Sequence, residues 1–185
     1  ALKIRQHLKQ WELLPAVQEA LGTAELRLGQ FDEARTLFEE SLRGYRETND
    51  RPGMAMALRG LGSVQFDQGH WAEAAKHYEE ALAVLEGTPQ TDLITDLRSR
   101  IALVWREEGR LAAAQEVLEK SLAYWTQKGH ARWIATSRMQ LATVLIRSGQ
   151  DGRTLLTESR KEFRDLGDSA GVAECDRWLS MARLP

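Results

Sequence analysis

The sequence has one cysteine, Cys175, in 185 residues and a formal net charge of −2. A single cysteine can form no disulfide within the chain, and its use fits a reducing compartment such as the cytoplasm. The near-neutral charge and the pI of about 6.2 lack the basic excess of nucleic-acid-binding domains. Because of this charge balance, we expect no nucleic-acid binding by this segment. No run of about 18 apolar residues is present, so we expect no membrane span.

The residue groups that carry catalysis are also missing. The sequence has no glycine-rich phosphate loop and no cysteine pair, and it has four histidines, of which only His70 and His77 lie close in sequence. Seven residues separate these two, which is about 10 Å along a helix and too far for one metal ion. Cys175 has no neighbouring histidine and is expected to be a small core residue. We therefore expect a protein without catalytic residues, metal or cofactor.

The sequence does contain a repeat with a step of 40 residues. Small and apolar pairs recur at this step, a glycine follows each pair eight residues on, and an aromatic or leucine and an alanine come next. Such self-similarity is typical of stacked helical repeats. The columns are Leu21-Gly22, Leu61-Gly62, Ile101-Ala102 and Leu141-Ala142; Gly29, Gly69, Gly109 and Gly149; Phe31, Trp71 and Leu111; Ala34, Ala74 and Ala114; Phe38, Tyr78 and Leu118; and Ser41-Leu42, Ala81-Leu82 and Ser121-Leu122.

Each copy has the spacing of two helices. In the second copy, Met54 to Gln68 has apolar and small residues at helical steps and ends at a glycine, which favours the left-handed conformation of a helix C-terminus. Trp71 to Glu86 has an apolar stripe opposite charged residues and predicts the second helix. The small residues in both helices predict a close crossing, with the aromatic residues packed beside it.

These columns resemble the tetratricopeptide repeat, in which helix-turn-helix units stack into a right-handed superhelix. The resemblance implies an all-helical solenoid whose concave groove is lined by the first helix of each repeat. The period of 40 residues and the polar turn from Asn49 to Ala55 are similar to the repeats of large bacterial transcriptional and signalling regulators and of some eukaryotic scaffold proteins. Because fold does not determine function, this placement is an analogy.

We expect residues 1–185 to form a single solenoid. Its predicted repeats are a partial copy at 1–10, full copies at 13–50, 52–90 and 91–130, a degenerate copy at 131–168 and a partial copy at 169–185. The fourth copy lacks the apolar and alanine positions after Gly149, so its second helix should be shorter and displaced. Neither end has an obvious cap, which predicts exposed apolar surface at one or both ends unless flanking sequence or self-association covers it. The missing initiator methionine suggests a piece of a longer protein.

The predicted groove is lined by first-helix residues that face away from the second helices. Each copy places one arginine there, whose planar fork suits carboxylates or phosphates, beside an apolar column suited to anchoring a peptide. The alternative is that these residues pack between neighbouring first helices and that acidic residues neutralise the arginines. The candidate binding residues are Arg27, Arg59, Phe66, Arg106, Ile146 and Arg147; the wider lining adds Glu19, Thr23, Leu26, Ser63, Asp67, Ser99, Leu103, Glu107, Met139 and Thr143.

The resemblance also offers one family-specific use that the residues disfavour. Chaperone-binding tetratricopeptide domains hold a C-terminal carboxylate with lysines and asparagines on successive first helices. Asn49 is the one asparagine of this sequence and lies in a turn, and the predicted first helices contain no lysine.

Three functions remain open. The first is a non-catalytic protein-protein interaction module or scaffold, as a cytoplasmic regulatory or sensor segment of a larger bacterial signalling or transcription protein. The second is a receptor for a small molecule or a signal peptide. The third is a structural or dimerisation element, which would form a homodimer through its uncapped ends.

Overall fold

The computed structural model describes residues 2–181, with the side chains of residues 13–181, and this part of the chain is entirely helical. Its nine helices alternate between what we call first helices (α1, α3, α5, α7 and α9) and second helices (α2, α4, α6 and α8). They are α1 (Leu2–Arg27), α2 (Phe31–Glu47), α3 (Arg51–Asp67), α4 (Trp71–Val84), α5 (Thr91–Glu107), α6 (Leu111–Lys128), α7 (Ala131–Arg147), α8 (Arg153–Asp165) and α9 (Ser169–Met181).

The turn within each helix pair is set by a glycine, as the sequence predicted. Gly69 follows α3 with a φ of 80°, a left-handed conformation that strains any residue with a Cβ. Its amide donates to the carbonyl of Phe66 at 3.0 Å and so closes the end of the helix. Gly29, Gly109 and Gly149 have φ values of 77°, 80° and 76°.

The turns that lead into α3 and α9 share a second device. The Asp50 side chain accepts a hydrogen bond from the amide of Gly53 at 3.0 Å, and Asp168 accepts one from the amide of Gly171 at the same distance. A carboxylate at this position satisfies a free amide at the helix start and is favoured by the helix dipole. The similarity between these two turns therefore reflects one capping geometry.

The chain divides into two units, Ala1–Leu97 and Arg98–Pro185, which we call unit 1 and unit 2. In unit 1, α2 packs against α1 and α3, and α3 also packs against α1 and α4. In its core, aromatic rings lie on glycines: a Cβ on Gly60 would be 2.4 Å from Phe38, and one on Gly62 would be 2.5 Å from Tyr78. Unit 1 is thus built from close helix crossings filled by rings.

In unit 2, α7 packs against α6, α8 and α9, and α8 also packs against α9. One core cluster of this unit contains Ala102, Leu118 and Val144, and another contains Leu156, Phe163 and Cys175. Helix α8 has 13 residues, fewer than α2, α4 or α6, which confirms the expected shortening of the second helix in the fourth copy.

The two predicted partial copies lie at the chain ends. At the first, α1 runs from Leu2 to Arg27 without a turn. At the second, Pro185 lies outside the described residues.

Candidate binding site on the first helices

In unit 1, Arg59 on α3 lies between two carboxylates from the neighbouring first helices. Its Nη2 is 3.6 Å from Oε1 of Glu19 on α1, and its Nη1 is 3.3 Å from Oδ2 of Asp96 on α5. The Arg59 side chain is 24% exposed and that of Asp96 only 6%. Because partly buried charges are stable only when paired, this contact ties α1, α3 and α5 together.

In unit 2, two arginines share one carboxylate. Nε and Nη2 of Arg106 donate to Oε1 of Glu107 at 2.8 and 2.6 Å, and Nη2 of Arg147 donates to Oε2 of the same residue at 2.8 Å. Arg106 also donates from Nη1 to the Thr143 hydroxyl at 2.7 Å. The side chains of Arg106 and Glu107 are 11% and 12% exposed, whereas Arg147 is 39% exposed.

Trp178 on α9 completes this group. The guanidinium carbons of Arg106 and Arg147 lie 5.4 and 5.9 Å from its ring centroid, within the range of cation–π contact. Burial lowers the pKa of Arg106, and the adjacent Glu107 opposes this shift. An arginine keeps its proton in proteins, so both guanidinium groups are charged. We call Arg106, Glu107, Thr143, Arg147 and Trp178 the arginine cluster.

The remaining sequence-predicted candidates differ in their surroundings. Arg27 is exposed near the end of α1, and Phe66 is half-buried on α3. Ile146 packs against a core cluster of unit 2, and its Cγ1 lies close to Gly152. Arg59, Arg106 and Arg147 bridge first helices and meet acidic residues, as the alternative interpretation anticipated. Their use in binding a partner stays a prediction.

Two residues of these contacts, Asp96 and Trp178, were not among the predicted candidates. Asp96 lies 37 residues after Arg59, and Thr143 lies 37 residues after Arg106. This distance is one repeat less about one helical turn, the offset between facing positions on successive first helices. A search for charged or polar pairs at this spacing would have found Asp96. Trp178 has no such signal because it contacts the arginines through its ring.

Cys175, which the sequence analysis considered as a reactive group, has a structural position. Cys175 is buried in the core of unit 2, as predicted, and donates to the Ser159 hydroxyl at 3.6 Å. Burial raises the pKa of its thiol, which keeps the sulfur protonated and poorly nucleophilic. The described residues contain no cluster of three or more His, Cys, Asp or Glu side chains able to hold a metal ion. None of the described helices has the length and apolarity to cross a membrane.

The first two copies of the repeat match a known family pattern. Residues 13–87 match the tetratricopeptide repeat family. This match confirms the resemblance read from the Leu-Gly, glycine and alanine columns. Among curated proteins, none is similar enough in sequence to count as a match.

Solved structures extend the likeness over most of the chain. BtubC (BKLC) from P. vanneervenii is 15% identical with a TM-score of 0.62, over 98% of this chain and 84% of that one. A Podosopora anserina protein with nearly identical TPR-like repeats of the kinesin light chain type is 21% identical with a TM-score of 0.58, over 84% and 77%. A Rap protein complexed with Competence and Sporulation Factor is 16% identical with a TM-score of 0.63, over 98% of this chain and 56% of that one.

At these identities the likeness establishes the fold. The described chain has the architecture of tetratricopeptide-like helical repeats, as the sequence predicted. The arginine cluster lies on the first helices of this architecture.

Proposed function

We propose that this chain is a non-catalytic interaction module that binds a peptide or protein segment along its first helices. The observation that carries the proposal is the composition of the arginine cluster. Two guanidinium groups share the single carboxylate of Glu107, so the cluster itself has a net positive charge. Arg147 is the more exposed of the two arginines and has further N–H donors, which fit a carboxylate of the partner.

The other arginine contacts would then position the binding group. Arg106 is held by Glu107 and Thr143, and the Trp178 ring lies against both guanidinium groups. A charge already fixed by its neighbours loses little side-chain entropy when a ligand binds. In unit 1, we propose Arg27, Arg59 and Phe66 as further contacts, and in unit 2 Ile146 provides apolar surface beside the cluster.

In its biological setting, we propose that the module is a cytoplasmic regulatory or sensor segment of a larger bacterial signalling or transcription protein. The 40-residue period supports this placement. A receptor for a signal peptide or small molecule is the second candidate, and the Rap structure supports it because that neighbour was solved in complex with Competence and Sporulation Factor.

The test is a selection of random peptides displayed on phage against the purified chain. We expect the recovered peptides to contain Asp or Glu, and Arg147→Gln should weaken their binding about tenfold, the effect of losing one charge-assisted contact. Arg164→Gln is the matched control because Arg164 is an exposed arginine on the second helix α8.

Circular dichroism must show that both variants keep their helicity. Recovery of no peptide, or of peptides that bind Arg147→Gln as tightly as the parent chain, would reject the arginine cluster as the binding site. Peptides affected equally by Arg147→Gln and Arg164→Gln would indicate general charge attraction and would also reject it.

A further inference from the structure

The shared carboxylate of the arginine cluster is bound unequally by its two arginines. Oε1 of Glu107 accepts from both Nε and Nη2 of Arg106, at 2.8 and 2.6 Å, whereas Oε2 accepts from one nitrogen of Arg147, Nη2, at 2.8 Å. The third nitrogen of Arg106, Nη1, donates to the Thr143 hydroxyl at 2.7 Å. All three nitrogens of Arg106 are therefore engaged within the cluster, and Arg106 is its fixed member.

Arg147 is the member that an incoming ligand can reach. Its side chain is 39% exposed, against 11% for Arg106 and 12% for Glu107. The two helices that follow α7 in the chain, α8 and α9, are both described and pack against it. The Arg147 guanidinium therefore faces solvent with these neighbours in place.

A ligand carboxylate at Arg147 would lie close to a second negative charge. Charge-assisted hydrogen bonds are about 2.8 Å long, so a ligand oxygen on another nitrogen of this guanidinium would lie roughly 5–7 Å from the Glu107 carboxylate. At this distance, near a protein surface, the repulsion between two unit charges changes an affinity on the order of tenfold. The site thus combines an attractive arginine with a repulsive carboxylate behind it.

We propose that Glu107 competes with the partner for Arg147 and so limits the affinity of the site. In the free chain Arg147 donates to Glu107, and in the complex it donates to the carboxylate of the partner while Glu107 stays paired with Arg106. No buried charge loses its partner in this exchange, because the contacts of Arg106 do not depend on Arg147. This inference rests on the proposed function, since it requires an acidic partner at Arg147.

The opposite role for Glu107 would be to hold Arg147 in place for the partner, and its loss would then weaken binding. Glu107→Gln separates the two roles. Glutamine has the same length, and its amide oxygen still accepts a hydrogen bond from Arg147, so the variant keeps the positioning contact and removes only the negative charge. Competition therefore predicts tighter binding by this variant, and positioning does not.

Isothermal titration calorimetry with an acidic peptide from the phage selection, at about 0.15 M salt, tests the competition. Glu107→Gln should bind this peptide about tenfold more tightly than the parent chain. Glu108→Gln is the matched control, because it removes the same charge from the next residue, which is exposed and paired with Arg110. Its Kd should change by less than about twofold, since solvent and salt screen an exposed charge.

Two further measurements guard against a loss of stability in Glu107→Gln. Glu107→Asp shortens the side chain but keeps its charge, and it should not tighten binding. Circular dichroism at the assay temperature must show that each variant is folded. The exchange is also tested without any variant, in a crystal structure of the parent chain with the peptide. There Arg147 should donate to the peptide and not to Glu107, while Arg106 keeps its contacts.

Equal or weaker binding by folded Glu107→Gln, with Arg147→Gln still weakening the peptide, would overturn the competition and leave the proposed function standing. Equal tightening by Glu107→Gln and Glu108→Gln would indicate a general charge effect, and tightening by Glu107→Asp would indicate a loosened cluster; either contradicts the competition. A complex in which Arg147 still donates to Glu107 would overturn the exchange. Peptide binding that does not depend on Arg147 would reject the proposed function itself, and this inference with it.

Discussion

The two units solve the same packing problem with side chains of different size. In unit 1, Gly62 lies under the ring of Tyr78, and a Cβ at Gly62 would be 2.5 Å from that ring. One period later, in unit 2, Ala102 and Leu118 belong to one core cluster, and both are fully buried. From unit 1 to unit 2 the glycine is replaced by an alanine, which adds a methyl group, and the tyrosine is replaced by a leucine, which removes the ring. Helix spacing in this repeat is therefore set by the pair of side chains and not by either residue alone.

The units also differ in how charges join their first helices. In unit 1 an arginine bridges two carboxylates, Glu19 and Asp96, whereas in unit 2 a carboxylate, Glu107, bridges two arginines. Both arrangements tie consecutive first helices through partly buried charge. The two contacts lie at different positions of the repeat, because the residue one period before Glu107 is Asp67, eight residues or about two helical turns after Arg59. The difference teaches that charge can join consecutive first helices at more than one place along them.

Removing the shared carboxylate of unit 2 should have the largest effect. Glu107→Gln leaves two guanidinium groups close together in a site where Glu107 is 12% exposed, and we expect a loss of about 3 kcal/mol in the free energy of unfolding. Urea denaturation followed by circular dichroism measures it. The control is Glu108→Gln, an exposed neighbour, with an expected change below about 0.5 kcal/mol. Equal effects of the two variants would show that the cluster is not a structural link.

Exchanging the packing pair of unit 1 for that of unit 2 should have the next largest effect. Gly62→Ala forces a methyl group into the Tyr78 ring and should cost about 2 kcal/mol in the free energy of unfolding. Adding Tyr78→Leu recreates the alanine–leucine pair of unit 2. The double variant should therefore lose less free energy of unfolding than the two single variants lose in total, by about 1 kcal/mol. Strict additivity in this cycle would contradict the size exchange.

A pH effect confined to unit 1 should be the smallest. Burial lowers the pKa of His77, with Glu80 and Glu39 opposing the shift, while the equivalent residue of unit 2 is Val117. The unfolded chain then binds a proton more readily, so this contribution to stability is complete above the unfolded pKa of about 6.5 and declines as the pH falls toward the lower folded value.

His77→Val should remove this decline. Urea unfolding of both proteins between about pH 7.5 and about pH 5.5, above the range where most carboxylates titrate, measures the difference. A parallel pH dependence of the two proteins would assign the decline to other groups.

The sequence was sufficient to predict an all-helical fold, its glycine turns and the buried thiol, because these follow from local spacing. Trp71 begins α4 and Gly69 ends the preceding turn as the 40-residue columns indicated. The missing caps predicted open apolar surface at one or both ends unless flanking sequence or self-association covers it, and large apolar side chains of α1 are exposed in this structure. The columns did not indicate that α9 has Asp176 and Ser180 at positions that are buried on α3, although the step of 118 residues between the capped turns aligns them.

The contacts between first helices were harder to predict. Arg59 and Arg106 were placed on the correct helices, but their partners Asp96 and Thr143 lie 37 residues on, not 40. That offset depends on how long side chains extend along the helix, which the repeat does not encode. Trp178 joined the site through ring contacts that no spacing rule describes.

The left-handed glycines have a consequence for how such a chain can change. Each helix pair is joined by a turn whose shape depends on one backbone conformation, as at Gly69, where the space that a Cβ would occupy is open. The turn therefore does not constrain which residues the neighbouring helices present to solvent or to a partner. Substitutions on those surfaces can accumulate without altering the hairpin, so recognition and architecture can evolve separately in this molecule.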